Sequence, residues 1–183
     1  LEQGINGEMV TIYENGTHIP LMWTHLIPAT IEGKATHNVQ NAMFAAALAY
    51  SFEVSLEDIR QGLRIFNTSF YQAPGRLNIY DEHPFKVILD YAHNPAAIAS
   101  ITDLATRLEV GGKRRIVVAM PGDRRDEDVV EVAQIIAKGF DFFICKADDN
   151  RRGRGFDEVP QLIRQTLLKA GVAEEAIQVI PAE

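Results

Sequence analysis

The sequence predicts an α/β protein whose C-terminal part is a Rossmann-like domain with a mostly parallel sheet. From residue 85 onward, short apolar segments alternate with segments of helix length, which is the order that a parallel sheet with crossover helices requires. The apolar segments contain few polar residues, as expected for strands covered on both faces. The first third of the chain lacks this alternation and predicts a β-hairpin followed by two helices.

The elements of the predicted C-terminal domain can be placed from their patterns. Predicted strands lie at residues 85–89, 116–120, 140–145 and 177–180. Predicted helices lie at residues 126–138 and 159–168, and another begins at Asn94-Pro95. Asn94 offers a capping side chain and Pro95 suits the first helical position, so this helix start is well defined.

The N-terminal part contains a turn signal and two helix starts. Residues 9–13 and 17–23 flank Glu14-Asn15-Gly16, a sequence typical of a hairpin turn. Thr36 is the expected cap of an alanine-rich helix, and Ser55 opens a capping box for the next one. Helical periodicity stops between residues 67 and 75, which predicts a linker. The predicted domains are therefore residues 1–73 and 74–183.

Composition excludes several classes of protein. The 183 residues carry a net charge of −7, which disfavours nucleic-acid binding, and contain no apolar run of about 18 residues that could span a membrane. A single cysteine, Cys145, fits a reducing, cytoplasmic location. The five histidines lack metal-ligand spacing, so no metal site is predicted. The chain begins without Met, and we expect it to be a piece of a longer protein.

Polar clusters follow three of the predicted strands. They are residues 90–94, 122–126 and 146–154. Ligands of an open parallel sheet bind just beyond the carboxyl ends of its strands. The structural alternative is that strands end in polar residues and that Asp and Asn cap helices. Three clusters along one predicted edge favour a ligand site.

Several side chains in these segments have nucleotide-binding chemistry. Asp90 could accept hydrogen bonds from ribose hydroxyls, and His93 precedes a helix N-terminus that favours anions. Asn38 and Asn41 lie three residues apart and could present amides to an adenine edge. Arg76, at the exit of the linker, could reach a phosphate. Helix capping, a structural histidine and an ordinary exposed arginine remain the alternatives.

The segment at residues 148–154 places two acids beside three arginines around a glycine. Such a loop could bind a zwitterionic amino acid, with an arginine on its carboxylate and an acid on its amino group or basic side chain. The alternative is a solvated loop whose charges pair with one another.

Taken in order, these segments resemble the Mur ligase family. The matching segments are His37-Asn38-x-x-Asn41, Pro74-Gly75-Arg76-Leu77-Asn78, Asp90-Tyr91-Ala92-His93-Asn94-Pro95, residues 121–128 and residues 146–154. The Gly-Asp-Arg-Arg-Asp-Glu-Asp form at residues 122–128 and Arg152-Gly153-Arg154 are similar to one branch, which adds arginine to a poly-aspartate backbone. The resemblance covers residues 25–183.

The resemblance implies an ATP-dependent amide-bond ligase in which an amine attacks an acyl phosphate. Residues 1–73 would then be the end of the family's central ATPase domain. Arg76 and His93 would be catalytic, and Asp149 and Arg152 would contact the incoming amino acid, although the loop departs from the family's usual Asp-Asn-Pro-Arg form. The implied ATP-binding residues are His37, Asn38, Asn41, Arg76, Asp90, His93 and Asn94.

The implied partners are ATP, Mg²⁺, L-arginine and an aspartate polymer. The segment lacks the Gly-x-x-x-x-Gly-Lys-Ser/Thr phosphate loop. The resemblance implies that this loop and most Mg²⁺ ligands lie upstream, so we expect the segment alone to be inactive. The alternatives are a Mur-type ligase for muramyl peptide or folate, and a non-catalytic homologue acting as a scaffold. Homo-oligomerisation of a full-length protein stays open.

Overall fold

A computed structural model describes residues 1–180. The chain forms two compact units, one of residues 1–91 and one that begins at Ala92. Residues 74–91, which we assigned to the C-terminal domain, make their contacts within the first unit. Compactness and family boundaries are different properties, so the assignment of domains at residues 73 and 74 stays a prediction.

The first unit opens with an antiparallel sheet of three strands, β1 (Glu2–Gly4), β2 (Gly7–Glu14) and β3 (Thr17–Trp23). The predicted hairpin between β2 and β3 is confirmed, with Glu14 paired to Thr17. Asn15 and Gly16 have φ values of 48° and 80°. Both values lie in the left-handed region that a two-residue hairpin turn needs and that Asn-Gly tolerates.

Two helices cover this sheet, α1 (Thr36–Ser51) and α2 (Leu56–Ile65). The Ser55 cap is confirmed, because its hydroxyl accepts the Asp58 N–H at 3.1 Å. The predicted Thr36 cap is wrong: Ala35 occupies the cap position and Thr36 is the first helical residue. Ala35 is fully buried, so a small apolar side chain is favoured there. The core of the unit is formed by Val10, Leu21, Met22, Ile27, Ala29, Ala42, Ala46, Ile59 and Leu63.

The first unit ends with a small hairpin of β4 (Asn78–Tyr80) and β5 (Val87–Leu89). These strands pair antiparallel, so the prediction that residues 85–89 form a parallel-sheet strand is wrong. Val87 and Leu89 are 38% and 48% exposed, unlike a strand covered on both faces. A partner nearby in sequence costs little loop-closure entropy, which favours this local pairing.

The second unit is the predicted parallel α/β arrangement. Its elements are α3 (Pro95–Arg107), β6 (Arg115–Val118), α4 (Asp126–Ile136), β7 (Phe142–Lys146), α5 (Glu158–Lys169) and β8 (Ile177–Ile180). The sheet has the order β6-β7-β8 with parallel pairing throughout, which confirms the Rossmann-like fold class. Phe143, Ile136, Ile163 and Leu167 are almost wholly buried between the sheet and its helices. This packing places the loops after β6 and β7 side by side.

Within residues 1–180, no helix is both long enough and apolar enough to cross a membrane.

Candidate functional site

A tight turn after the linker presents Arg76, and Asn78 holds that turn in place. The Asn78 side chain is buried, with 1% of the residue exposed. Its Nδ2 donates to the carbonyl oxygens of Thr68 and Ala73, both at 2.8 Å. Its Oδ1 accepts the Gly75 N–H at 2.7 Å. One buried amide therefore fixes three points of the linker backbone.

The other side of this turn is held by Asp90. Asp90 Oδ2 accepts the Leu77 N–H at 2.8 Å, and the Tyr91 N–H donates to the Gly75 carbonyl, also at 2.8 Å. Gly75 and Leu77 both have positive φ, at 69° and 52°. Such a conformation is unfavourable for leucine, and the hydrogen bond that the Leu77 N–H donates to Asp90 helps to maintain it.

Arg76 lies between these two left-handed residues and is itself exposed. Its guanidinium carbon is 5.6 Å from the centroid of the Tyr91 ring. The structure therefore brings Arg76 and Asp90, two of the predicted ATP-binding residues, into one local arrangement. Arg76 is exposed and its guanidinium lies near an aromatic ring, an arrangement that suits binding of a phosphate.

The polar residues at the start of α1 are partly engaged with their own unit. Asn38 Nδ2 donates to the Ala29 carbonyl at 2.7 Å, and Asn41 Nδ2 donates to Asn38 Oδ1 at 3.2 Å. His37 is half-buried beside them, while Asn41 is exposed. A structural role is thus realised for Asn38, and the adenine-binding role of the three residues stays a prediction.

Asn94 caps α3 as predicted. Its Oδ1 accepts the Ala97 N–H at 2.9 Å, and Pro95 occupies the first helical position. His93 is half-buried immediately before the cap. The roles of His93 and Asn94 towards ATP stay predictions.

In the second unit, the loops after β6 and β7 are fastened to each other. We call residues 119–125 the β6 loop and residues 147–157 the β7 loop. Arg154 of the β7 loop donates from Nε to the Gly122 carbonyl at 2.8 Å and from Nη2 to the Arg124 carbonyl at 2.5 Å. Its Nη1 reaches Asp126 at 2.6 Å and Glu158 at 3.1 Å. Two of the three predicted polar clusters are therefore in contact.

Gly122 marks the closest approach of the two loops. A Cβ atom at this position would lie 1.9 Å from the Arg151 carbonyl oxygen, a distance that no packed atom pair tolerates. Gly122 is also buried. The position therefore requires glycine for space.

Arg152 and Asp149, which we predicted to contact the incoming amino acid, have different surroundings. Arg152 forms an ion pair with Asp123 of the β6 loop. Asp149 lies 3.7 Å from Lys146 Nζ, and its side chain is 97% exposed. Burial alone raises the pKa of Asp123, but the hydrogen bond and charge of Arg152 outweigh it, so the pKa falls below its ordinary value of 3.8. Arg152 is thus paired, but with the β6 loop and not within its own loop as the alternative expected.

The β6 and β7 loops border a shallow cleft that is open to solvent. Its apolar lining comes from Met120, Ala147, Phe156, Val159 and Pro160, and its polar lining from Asp148, Arg151 and Arg154. The Arg151 guanidinium carbon lies 5.4 Å from the Phe156 ring centroid. A lining with apolar side chains and both charge signs suits a ligand that has an aliphatic chain and charged ends.

A cysteine nucleophile and a metal site both find little support in the part of the chain that the structure describes. Burial raises the pKa of the Cys145 thiol to about 11, so it is a poor nucleophile near neutral pH. In the described residues 1–180, no three His, Cys, Asp or Glu side chains gather as a metal site would require.

Sequence reasoning gave no role to Asn78 or Arg154, although both lie in segments that it singled out. The spacing of Arg154 and Glu158, four residues apart at a helix start, could have suggested their ion pair. No comparable signal exists for Asn78, because its partners Thr68 and Ala73 belong to an irregular segment.

The chain matches the family described as "Mur ligase, glutamate ligase domain" over residues 75–182, more than half of its length. It is 39% identical to a cyanophycin synthetase of Synechocystis sp. over 170 residues, covering 92% of this chain and 19% of that protein. It is 38% identical to a cyanophycin synthetase of Nostoc sp., covering 93% of this chain and 20% of the relative. The chain thus spans about a fifth of the length of these relatives.

A structural comparison agrees at the level of the fold. The crystal structure of UDP-N-acetylmuramate-alanine ligase MurC from Thermotoga maritima matches with a TM-score of 0.57 and 20% identity, covering 79% of this chain and 29% of that one.

A UDP-N-acetylmuramoyl-L-alanyl-D-glutamate--2,6-diaminopimelate ligase of Corynebacterium efficiens is 31% identical over 81% of this chain and 27% of the relative. The family match and these relatives show that the chain belongs to the Mur ligase family.

Proposed function

We propose that this chain is part of an ATP-dependent ligase that joins arginine to the β-carboxylate of a poly-aspartate backbone. The observation that carries the proposal is its similarity to cyanophycin synthetases, 38–39% identity over more than nine-tenths of the chain. The diaminopimelate ligase of Corynebacterium efficiens is less similar, at 31% over 81% of the chain. The cyanophycin synthetase branch is therefore the better supported one.

The nucleotide would be bound in part by the first unit. Arg76 offers an exposed guanidinium on a turn that Asn78 and Asp90 hold rigid, and this arrangement fits a phosphate group. Asp90, His93, Asn94 and the α1 residues His37, Asn38 and Asn41 are the further proposed contacts. The residues described here offer no cluster of acids for Mg²⁺, so we assign none of them as its ligands.

The incoming amino acid would be bound by the cleft between the β6 and β7 loops. Asp149 and Arg152 are the proposed contacts; they do not line the cleft themselves but follow Asp148 and Arg151 of its lining in the sequence, and Arg152 would leave Asp123 to take the substrate carboxylate. The apolar lining, which includes Phe156, would pack against the aliphatic part of an arginine side chain. A mixed rim of acids and arginines is what a doubly charged amino acid requires.

The proposed reaction has two steps. A carboxylate oxygen of the aspartate polymer bonds to the terminal phosphorus of ATP, and the bond to ADP breaks. The amine nitrogen of arginine then bonds to the acyl carbon, loses a proton, and displaces inorganic phosphate. Arg76 would stabilise negative charge on the transferred phosphoryl group, and the second unit would orient the amine.

The test is turnover by the full-length protein that contains this chain. We expect phosphate release that requires ATP, Mg²⁺, arginine and a poly-aspartate primer together, with a matching mass increase of the primer for each arginine joined. Lysine in place of arginine serves as the control for the guanidinium.

Other substrates would overturn the proposal. Turnover that requires a muramyl peptide with diaminopimelate, as the name of the Corynebacterium relative suggests, would assign a cell-wall ligase instead. Turnover with a folate would assign a folylpolyglutamate ligase. No turnover with any of these acceptors would favour a non-catalytic scaffold.

A further inference from the structure

We propose that Arg154 is a positioning residue of the amino-acid site: its guanidinium fixes the β6 loop against the β7 loop and so sets the shape of the cleft between them. The inference rests on the proposed function, because it assigns that cleft to the incoming amino acid.

The contacts of Arg154 show how one side chain can do this. Nε and Nη2 donate to the carbonyl oxygens of Gly122 and Arg124, at 2.8 Å and 2.5 Å, which fixes the backbone of the β6 loop. Nη1 bonds to the carboxylates of Asp126 and Glu158, the first residues of α4 and α5. A guanidinium presents its donors as a rigid planar fork, and here the fork spans two loops and two helix starts.

Arg154 is suited to holding the loops and poorly suited to contacting a substrate directly. Only 18% of its side chain is exposed, and all three of its nitrogens already have acceptors. Arg151 and Arg152 of the same loop are exposed. A ligand in the cleft could therefore contact Arg151, which also lines it, without displacing Arg154 from its four acceptors.

The packing at Gly122 supports the same conclusion independently. The Arg151 carbonyl occupies the place where a side chain at residue 122 would begin, 1.9 Å from an ideal Cβ. The two loops are thus in direct backbone contact at the point where Arg154 binds the Gly122 carbonyl. Any added atom at residue 122 must push the loops apart.

Loss of Arg154 should affect the binding of one substrate and not of the other. Because Arg154 acts through the loops of the second unit, its loss should weaken binding of the amino acid and leave ATP binding nearly unchanged. A general loss of stability would instead lower the amount of active enzyme and change no KM.

The experiment compares four variants of the full-length protein. Arg154→Met removes the fork, Arg154→Lys keeps only the charge, and Gly122→Ala separates the loops by another route. Arg125→Met is the matched control, because Arg125, the last residue of the β6 loop, is 74% exposed, does not line the cleft and pairs with Asp128 three residues later. We expect the first three to raise the KM for arginine at least tenfold, with the KM for ATP within twofold of wild type and Arg125→Met unchanged.

Three outcomes of these kinetics would overturn the inference: an unchanged KM for arginine in Arg154→Met, equal increases in both KM values, or full rescue by Arg154→Lys. Full rescue by lysine would mean that a single positive charge suffices.

Failure of the proposed function is recognised separately, from wild-type protein that does not turn over with arginine. Hydrogen exchange then decides whether Arg154 holds the loops. We expect faster exchange in Arg154→Met at the Arg124 amide, which bonds to Pro121, and at the amide of residue 154, which bonds to Arg151. Amides within β7 are the internal control. Unchanged exchange at both loop amides would overturn the inference.

Discussion

The turn around Arg76 and the paired loops around Arg154 use the same residue type in opposite ways. In the turn, the buried neutral amide of Asn78 organises the backbone and leaves Arg76 exposed. In the paired loops, the arginine itself organises the backbone, and its donors are taken by carbonyls and carboxylates. An arginine whose three nitrogens all have acceptors stabilises structure, whereas an exposed one on a rigid turn can bind a ligand.

The turn around Arg76 and the paired loops also differ in how they respond to salt and pH. The hydrogen bonds of Asn78 are neutral and shielded from water, so salt and pH have little effect on them. The ion pairs of the β6 and β7 loops are mostly exposed, and exposed pairs are weak and screened by salt. The turn around Arg76 should therefore remain the more rigid of the two regions as salt concentration and pH change.

The largest effect is expected at Arg76. Changing Arg76→Ala in the full-length ligase should lower kcat/KM for ATP by about 100-fold or more, because removing one donor to developing negative charge costs this much in other enzymes. Steady-state phosphate release measures it. Arg64→Ala is the control, since Arg64 is an exposed arginine in the last turn of α2. Equal effects of the two changes would remove the proposed role.

A smaller but clear effect is expected at Asn78. Asn78→Ala leaves the Gly75 N–H and two carbonyls without their partner, which costs about 2 kcal/mol for a buried site. Hydrogen exchange at the Gly75 amide should accelerate accordingly. The matched change is Asn67→Ala, because Asn67 is an exposed asparagine that accepts the Ser69 N–H. If Gly75 exchange were unaltered, Asn78 would not be what holds this turn.

The change Asp90→Ala should raise the KM for ATP about tenfold, the cost of one lost hydrogen-bonding group. The raised KM could have two causes, loss of a ribose contact or loss of the hydrogen bond that Asp90 accepts from the Leu77 N–H. A second variant separates them. Asn78→Ala loosens the same turn without touching the carboxylate. A normal KM for ATP in Asn78→Ala, together with a raised one in Asp90→Ala, would favour the ribose contact; unchanged ATP kinetics in Asp90→Ala would remove it.

The smallest effect concerns the ion pair of Asp123 and Arg152. The pKa of Asp123 is lower in the folded protein than its ordinary value of 3.8. Its stabilisation is therefore present above about pH 4, the unfolded pKa, and is lost as the pH falls through the folded pKa. Thermal melting of wild type and Asp123→Asn should differ slightly at neutral pH and converge near pH 2. A constant difference across this range would contradict the assignment.

Local sequence signals determined much of this protein. The Asn15-Gly16 turn and the Ser55 and Asn94 caps each follow from short-range patterns. Such features depend on neighbouring residues, so a sequence can specify them without knowledge of distant contacts. The ordered family motifs likewise indicated the segments in which we propose the site.

Only the tertiary structure decided what individual side chains in those segments do. Strand β5 pairs with β4 instead of joining a parallel sheet, because a nearby partner was available. Asn78 and Arg154 gain their roles from acceptors up to 32 residues away in sequence. The sequence by itself determined where the loops and turns would be; hydrogen-bond acceptors brought close by folding decided which arginine is exposed and which is held.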